Sequence, residues 1–341
     1  MHQKSVVAAA LGLASPASAL LRFGCSQLTL QRLDPLVNPG QAPSTHLHQI
    51  IGGNAFNVTM DPNTLDIPKA ATCTTCSFSE DFSNYWTATI FFRARNGSLT
   101  RVPQKPQQGF EGSNGGGMVV YYMSDALFDT AQKSKVTAFK PGFRMLLGDA
   151  AATDFSASKK YRQLSYTCMA SEATRNNDTP YFPKSPCPHG IMINHYFPTC
   201  WDGKNLDSPD HRSHMSYPVD GTFESGAPCP ATHPVKVPQI LLETVWDTSK
   251  FNNKADWPVE TDKQPFLWST GDTTGYASHA DYVFGWKDDS LQRAMDKHAY
   301  VTGSGLKTQS IAQQNKCSVP DYVKENLNGW MDKLPGGMSP M

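Results

Sequence analysis

The stretch "TATIFFRARNGSLTRVP" (residues 87–103) carries the clearest fold signal in this chain of 341 residues. Two runs rich in β-branched and aromatic residues flank Asn96-Gly97, a dipeptide that tolerates positive φ at both central turn positions and favours a tight hairpin. "GGGMVVYYM" (115–123) and "VPQILLETVW" (237–246) are further runs of this kind. The sequence therefore predicts a mostly β protein, a large β-sandwich of the jelly-roll type with long loops.

The rest of the chain fits one β-rich domain over residues 20–341, because no repeat or interdomain linker interrupts it and all-β domains often exceed ~200 residues. "VPDYVKENLNGWMDKL" (319–334) differs in placing apolar residues on one helical face, between Pro320 and the pair Gly336-Gly337. This pattern predicts a C-terminal helix near 320–334 that packs outside the sandwich, with Cys317 tying it to the body.

The first residues predict a secreted protein. Residues 1–19 combine a basic start, a short apolar run and the small residues Ala17-Ser18-Ala19, as in a signal peptide cleaved before Leu20. Lys and Arg together number 30, as do Asp and Glu, so the charge does not favour nucleic acid or an anionic membrane. No later apolar stretch reaches the ~20 residues that a membrane span needs. We expect an extracellular or cell-wall location.

Eight cysteines, an even number, predict four disulfides in an oxidising compartment. "TCTTC" (72–76) lacks a second CxxC that would complete a metal site, so its cysteines pair with each other or with distant partners. A bridge between Cys187 and Cys200 would stiffen the segment that separates them. The full set is Cys25, Cys73, Cys76, Cys168, Cys187, Cys200, Cys229 and Cys317. Asn57, Asn96 and Asn177 begin sequons, which predict N-glycosylation on exposed loops if the host is eukaryotic.

Histidines cluster in three segments: "THLHQ" (45–49), "DHRSH" (210–214) and "SHAD" (278–281). An extended "THLHQ" puts His46 and His48 on one face, because strand side chains alternate. A tight loop would bring His211 and His214 together. A divalent metal is possible and, if present, His46, His48, His211 and His214 are its candidate ligands, with Asp207 or Asp210 completing or orienting the shell. The sequence requires no cofactor, and hydrogen bonding within loops is the alternative role for each histidine.

The same segments suggest acid–base chemistry. A glycoside hydrolase needs two carboxylates, whereas a lyase pairs a base with groups that neutralise a uronate. The candidate catalytic residues are His46, His48, His211, His214, Asp272, His279 and Asp281, with His279 and Asp281 as a possible dyad. The candidate substrate contacts are Arg212, Tyr217, Trp201 and Trp268, because aromatic faces pack on the CH surfaces of sugars. Turn capping by the acids and core packing by the aromatic residues are the alternatives.

Other enzyme classes fit less well. A copper oxygenase of the polysaccharide-cleaving kind begins with histidine, whereas the predicted mature chain begins at Leu20. The chain also lacks the G-x-S-x-G nucleophile elbow. "GSNGGG" (112–117) is not set between a strand and a helix as a phosphate loop would be.

Five segments together resemble one known family. They are "LDPLVNPG" (33–40), "HLHQIIGGNAF" (46–56), "CPHGIMINHYFPTCWDGKNLDSPDHRSHMSYP" (187–218), "WSTGDTTGYASHADYVFGW" (268–286) and "CSVPDYVKENLNGWMDKLPG" (317–336). This order resembles the fungal secreted family DUF1996, a domain of unknown function whose members can carry WSC modules. The resemblance implies an extracellular fungal protein with a cell-wall or polysaccharide role. Two hypotheses follow: an enzyme with a His/Asp-lined cleft acting on polysaccharide, or a noncatalytic glycan-binding or structural cell-wall protein.

Overall fold

The computed structural model describes residues 20–124, 135–175, 177–259, 264–297 and 303–340, so the predicted signal peptide lies outside the described residues. None of the helices in these ranges is long and apolar enough to cross a membrane. The helices are α1 (Ile67–Ala70), α2 (Phe155–Ser158), α3 (Ser290–Asp296) and α4 (Ile311–Gln314), with 3₁₀ turns at Ser249–Phe251 and Lys254–Asp256. The strands are β1 (Leu20–Cys25), β2 (Gln27–Gln31), β3 (His48–Gly52), β4 (Asn84–Ala88), β5 (Ile90–Arg93), β6 (Leu99–Arg101), β7 (Met118–Met123), β8 (Arg144–Gly148), β9 (Ser165–Cys168), β10 (Asp178–Thr179), β11 (Ile191–Tyr196), β12 (Cys200–Trp201), β13 (Met215–Ser216), β14 (Val235–Lys236), β15 (Gln239–Trp246), β16 (Phe266–Trp268), β17 (His279–Val283) and β18 (Trp330–Met331).

Two antiparallel sheets form a sandwich. The larger has the order β1-β7-β15-β11-β9-β10, and the other has the order β2-β3-β4-β17-β8. Alternate side chains of both sheets meet in the main core, since strand residues point to opposite faces in turn. The core includes Leu21, Phe23, Val120, Tyr122, Ile240 and Leu242 from the larger sheet and Ile51, Tyr85, Met145, Leu147 and Tyr282 from the other. The mostly β fold class predicted from the sequence is confirmed.

The hairpin predicted at Asn96-Gly97 joins β5 to β6, in a smaller sheet of order β16-β5-β6-β18. The turn differs in detail from the prediction, because Gly97 (φ 89°) takes positive φ and Asn96 does not. The Gly97 N–H donates to the Ala94 carbonyl at 2.9 Å, which makes this a longer loop than the two-residue turn. Phe92 of β5 packs in one cluster with Trp246 at the end of β15, so the hairpin and that strand share a core as expected.

The helix predicted near residues 320–334 is wrong. The backbone N–H groups of Tyr322 and Val323 donate to Gln31 Oε1 at 2.7 and 3.3 Å, and Lys324 takes φ 56°. A left-handed residue interrupts an α-helix. Residues 320–334 instead run as an irregular strap, and β18 within it pairs with β6.

All eight cysteines are paired, as the sequence predicted. The proposed Cys187–Cys200 bridge is wrong, because each of these residues bonds to another partner. The bridges are Cys25–Cys76, Cys73–Cys317, Cys168–Cys187 and Cys200–Cys229. The Cys73–Cys317 bridge, with a sequence separation of 244, ties the start of the C-terminal strap to the body of the fold.

Candidate metal centre

His46 and His48 flank Leu47 where the chain enters β3. Leu47 points into an apolar cluster with Phe91 and Leu99, so the two histidines point the other way. Their ring centroids are 4.2 Å apart. The alternation expected of an extended "THLHQ" is therefore present.

His279 joins them from β17, which is separated from β3 only by β4. It pairs with Gly148 at the end of β8. Gly148 has φ 85°, and a Cβ there would lie 2.2 Å from the Ser278 carbonyl oxygen and 3.0 Å from the Cβ of His279. Glycine at this position lets the two strands approach and leaves room for the His279 ring.

The Nε2 atoms of the three histidines converge. His46 Nε2 is 3.0 Å from His279 Nε2, which is 3.4 Å from His48 Nε2. Nitrogens at adjacent corners of a tetrahedral zinc site are about 3.3 Å apart, given Zn–N bonds of about 2.0–2.1 Å. The three side chains offer ligand atoms within 4.8 Å of one another, a spacing that one metal ion could bridge.

Hydrogen bonds at the Nδ1 atoms of His48 and His279 fix the tautomers of these two rings. The Leu33 carbonyl accepts from His48 Nδ1 at 3.0 Å, and the Ala277 carbonyl accepts from His279 Nδ1 at 2.9 Å. A carbonyl only accepts, so Nδ1 carries the proton and Nε2 presents a lone pair in each neutral ring. Two lone pairs that face each other favour a cation between them, and an Nδ1 bond to a carbonyl is typical of histidine ligands.

Burial also keeps these imidazoles neutral. Only 6% of His46, 0% of His48 and 3% of His279 is exposed. Burial, then repulsion between the rings, holds the pKa of His46 and of His48 well below the usual value, and burial lowers the pKa of His279 to about 4. Neutral imidazole is the form that binds a metal, so the cluster is ready to do so near pH 7.

One side of the cluster borders an open pocket of about 570 Å³. His46 and His279 form part of its wall, and Asp34, Asp149, His211 and Arg212 are among the residues around them. Three protein ligands with an open position are typical of catalytic rather than structural zinc sites.

The "DHRSH" loop also lines this pocket, through Asp210, His211 and Arg212. His211 Nδ1 lies 2.8 Å from Asp207 Oδ1, and Arg212 donates from Nε to the Gly148 carbonyl at 3.0 Å. The Leu146 N–H donates to the His211 carbonyl at 2.8 Å and holds the loop against β8. His211 takes φ 55°, a conformation that is uncommon outside glycine and that occurs at functional sites.

Three candidate catalytic residues do not join this site as predicted. Both ring nitrogens of His214 bond within the fold, to Ser208 Oγ at 2.8 Å and to the Arg144 carbonyl at 2.9 Å. Asp272 accepts the backbone N–H groups of residues 274, 275 and 277 and thus shapes a turn. Asp281 lies on the same sheet face as His279 but does not bond to it, so the predicted dyad is absent.

Asp281 is nevertheless unusual, because neither of its buried carboxylate oxygens has a hydrogen-bond partner among the residues that the structure describes. Burial and then the nearby Asp34 raise its pKa well above the usual value, against the opposing effect of Arg212. Burial thus favours the protonated form of this carboxyl group, which lies two residues after His279 on the same strand.

The aromatic residues predicted as sugar contacts belong to the core instead. Trp268 is fully buried and donates from Nε1 to Tyr166 Oη at 2.9 Å. Trp201 is 4% exposed and donates to the Asn205 carbonyl at 2.6 Å. Tyr217 donates to the Tyr196 carbonyl at 3.0 Å. Of the predicted substrate contacts, Arg212 alone is among the residues that line this pocket.

Sequence reasoning did not identify Asp34 or Gly148 as part of the site. Asp34 stands in the "LDPLVNPG" segment, where a polar turn was the only local signal. Gly148 ends an apolar strand and precedes Asp149, a pattern that also marks ordinary turns. Only the register of β8 against β17 reveals that Gly148 faces His279.

The family described as Domain of unknown function (DUF1996) matches residues 34–286. The chain belongs to the DUF1996 family. The matched region contains the three clustered histidines, Asp207, His211 and Arg212. No curated protein and no solved structure matches this DUF1996 chain.

Proposed function

We propose that this DUF1996 protein is a secreted fungal metalloenzyme that acts on cell-wall or biomass polysaccharide at the pocket beside the histidine cluster. The observation that carries the proposal is the convergence of three Nε2 atoms, with two tautomers set by backbone carbonyls, at the wall of an open pocket. Sites of this type bind Zn²⁺ or a copper ion through neutral imidazole. Bound Zn²⁺ would polarise a substrate oxygen or lower the pKa of a water molecule.

The "DHRSH" loop, which lines the same pocket as the cluster, supplies acid–base groups. His211 is the candidate general acid or base, because Asp207 accepts from its Nδ1 and leaves Nε2 to exchange a proton with substrate. Arg212 Nε is fixed on Gly148, and its Nη1 donates to the Asp210 carbonyl at 3.1 Å. This anchoring suits a fixed positive charge that binds a sugar hydroxyl or a carboxylate.

Both reaction types remain compatible with this arrangement. A hydrolase would use the metal and His211 to activate water and protonate the leaving oxygen. A lyase would use His211 as the base while Arg212 and the metal neutralise a uronate carboxylate. Product analysis separates them, because a lyase leaves an unsaturated sugar and a hydrolase adds water.

The molecule has the features of an extracellular protein. Four disulfides are typical of oxidising compartments. Asn57, Asn96 and Asn177 are all exposed, as N-glycosylation requires. These observations support secretion and glycosylation as parts of the proposal.

A second candidate is a noncatalytic glycan-binding or structural cell-wall protein. The deep burial of His48 favours this candidate, because an inaccessible ligand is typical of a metal that stabilises a fold. In that case the protein would retain the metal and bind glycan without turnover. Removal of the metal would lower the stability of the protein and leave glycan binding unchanged.

Metal content tests the cluster directly. Replacing His46, His48 or His279 by alanine removes one of three nitrogen ligands, so we expect bound zinc or copper, measured by mass spectrometry of purified protein, to fall from about one ion per chain to near zero. His189→Ala is the matched control, because His189 is exposed and lies outside the pocket. Equal metal content in all four variants would show that the three histidines do not form a metal centre.

Turnover tests the enzyme. Metal-loaded protein is incubated with neutral and acidic wall glycans, and products are identified by mass spectrometry. We expect His211→Ala to keep its metal and lose about 10²–10⁴-fold in rate, the usual contribution of a general acid or base. Absence of any product from metal-loaded protein, with metal content intact, would favour the noncatalytic candidate.

A further inference from the structure

A second pocket of about 390 Å³ borders the loop Thr270–Tyr276, which precedes His279 and β17. Thr270 of this loop lines the metal pocket, whereas Thr273, Thr274 and Tyr276 line the second one. The other lining residues are Arg93, Tyr181, Phe182, Lys184, Gln264, Pro265, Phe266 and Leu267. The two pockets therefore flank one loop and could contact one extended ligand.

The charged side chains that line the second pocket are basic. Arg93 and Lys184 line it, and none of its described lining residues is acidic. Within the described part of the chain, the Arg93 guanidinium has no hydrogen-bond or ion-pair partner. A half-buried, unpaired guanidinium is suited to binding a carboxylate through two parallel hydrogen bonds.

Exposed aromatic rings border these charges. Tyr181 is 37% exposed, and Lys184 Nζ lies 5.9 Å from its ring centroid. Tyr276 is partly exposed, and its ring centroid is 6.1 Å from that of Phe155, which is 50% exposed. Such rings offer faces for the CH surface of a sugar, which the buried Trp201 and Trp268 do not.

We infer that this second pocket binds a uronate unit of an acidic polysaccharide, with the carboxylate on Arg93 and Lys184 and the sugar ring against Tyr181 and Tyr276. The inference rests on the proposed function in one respect, since it takes the same polysaccharide to reach the metal pocket across the Thr270–Tyr276 loop. It names the substrate class as an acidic glycan.

Calorimetry on the metal-loaded full chain tests the site. The probes are oligogalacturonates, the same oligomers with their carboxyl groups reduced to alcohols, and inorganic phosphate. We expect Arg93→Ala and Lys184→Ala each to weaken oligogalacturonate binding by about tenfold or more, as loss of a charge-assisted contact does. Arg95→Ala is the matched control, because Arg95 lies outside this pocket and should change affinity by less than about twofold.

Several outcomes would overturn the inference. They are an unchanged affinity in Arg93→Ala, equal binding of acidic and reduced oligomers, no oligogalacturonate binding by the wild type, or phosphate binding as tight as that of the oligomer. Thermal melting and metal content confirm that each variant is folded. If acidic oligomers bind through Arg93 without turnover, the inference stands and the enzymatic proposal fails. If an acidic glycan is turned over but Arg93→Ala leaves KM unchanged, the enzymatic proposal stands and the inference about the second pocket fails.

Discussion

At the scale of single residues, the hydrogen bonds of a histidine separate a metal ligand from a scaffold residue. His48 and His279 each donate a hydrogen bond from Nδ1 to a backbone carbonyl, and the Nε2 of each ring faces the cluster. Both ring nitrogens of His214 form hydrogen bonds within the fold, Nδ1 with the Ser208 hydroxyl and Nε2 with the Arg144 carbonyl. Histidines of similar burial therefore differ in whether they leave one nitrogen lone pair free, which a metal ligand must do.

This difference predicts the behaviour of His214→Ala. The side chain is 1% exposed, and its loss leaves the Arg144 carbonyl without its donor and a cavity beside Phe143. We expect the free energy of unfolding, measured in urea, to fall by about 1–3 kcal/mol while metal content stays at the wild-type level. Loss of metal without loss of stability would instead place His214 at the centre.

The sequence reveals part of this site for a physical reason. Alternation along an extended chain is a local property, and it places His46 and His48 on one face as expected. The partner on β17 depends on long-range register, which the sequence does not show. The loop that holds His211 and His214 turns them apart through positive φ at His211, so their spacing of three misled the prediction.

At the scale of elements, strands and the hairpin are predictable because they follow apolar runs and turn residues. The C-terminal strap was not predictable in this way, because a residue distant in sequence forms hydrogen bonds with the backbone groups that a helix would use. Gln31 Oε1 accepts the N–H groups of Tyr322 and Val323, and Gln31 Nε2 donates to the Pro320 carbonyl at 2.9 Å. One buried side chain thus replaces the hydrogen bonds of the helix that periodicity favoured.

Removing that side chain tests this account of the strap. Gln31→Ala removes the acceptor of the Tyr322 and Val323 N–H groups and the donor to the Pro320 carbonyl, so we expect a loss of about 1–3 kcal/mol in unfolding free energy. Amide exchange measured by mass spectrometry should accelerate in residues 320–331 and stay unchanged in β15. Gln41→Ala, at an exposed position, is the control. Uniform acceleration across the molecule would show that Gln31 stabilises the whole sandwich rather than the strap.

At the scale of the whole molecule, a polar chain crosses the apolar core between the two sheets. Tyr85 Oη donates to Asp81 Oδ2 at 2.8 Å and lies 2.7 Å from Tyr122 Oη, which donates to Tyr282 Oη at 2.9 Å. Tyr122 belongs to the larger sheet and Tyr85 and Tyr282 to the other. The sequence predicted the sandwich and the four disulfides but not this network, nor which of the 105 possible pairings the eight cysteines adopt.

This network gives stability a pH dependence that one substitution isolates. Burial raises the pKa of Asp81 to about 7, against hydrogen bonds from Ser83 and Tyr85 that lower it. Between pH 4 and 7 the unfolded chain has lost this proton while the folded chain keeps it, so rising pH favours unfolding. The contribution of Asp81 is full below about pH 4 and is lost as the pH rises through 7, at about 1.4 kcal/mol per pH unit.

Asp81→Asn keeps the acceptor for the Ser83 N–H but cannot ionise. We therefore expect the unfolding free energy of the wild type minus that of Asp81→Asn, measured in urea, to fall by about 4 kcal/mol between pH 4 and pH 7 and to stay constant above pH 7. The buried histidines titrate in both proteins, so their opposite dependence, a loss of stability as the pH falls below 6.5, cancels in the difference. A difference that does not vary with pH would mean that Asp81 is ionised in the folded protein, and the tyrosine chain would then be holding a buried negative charge.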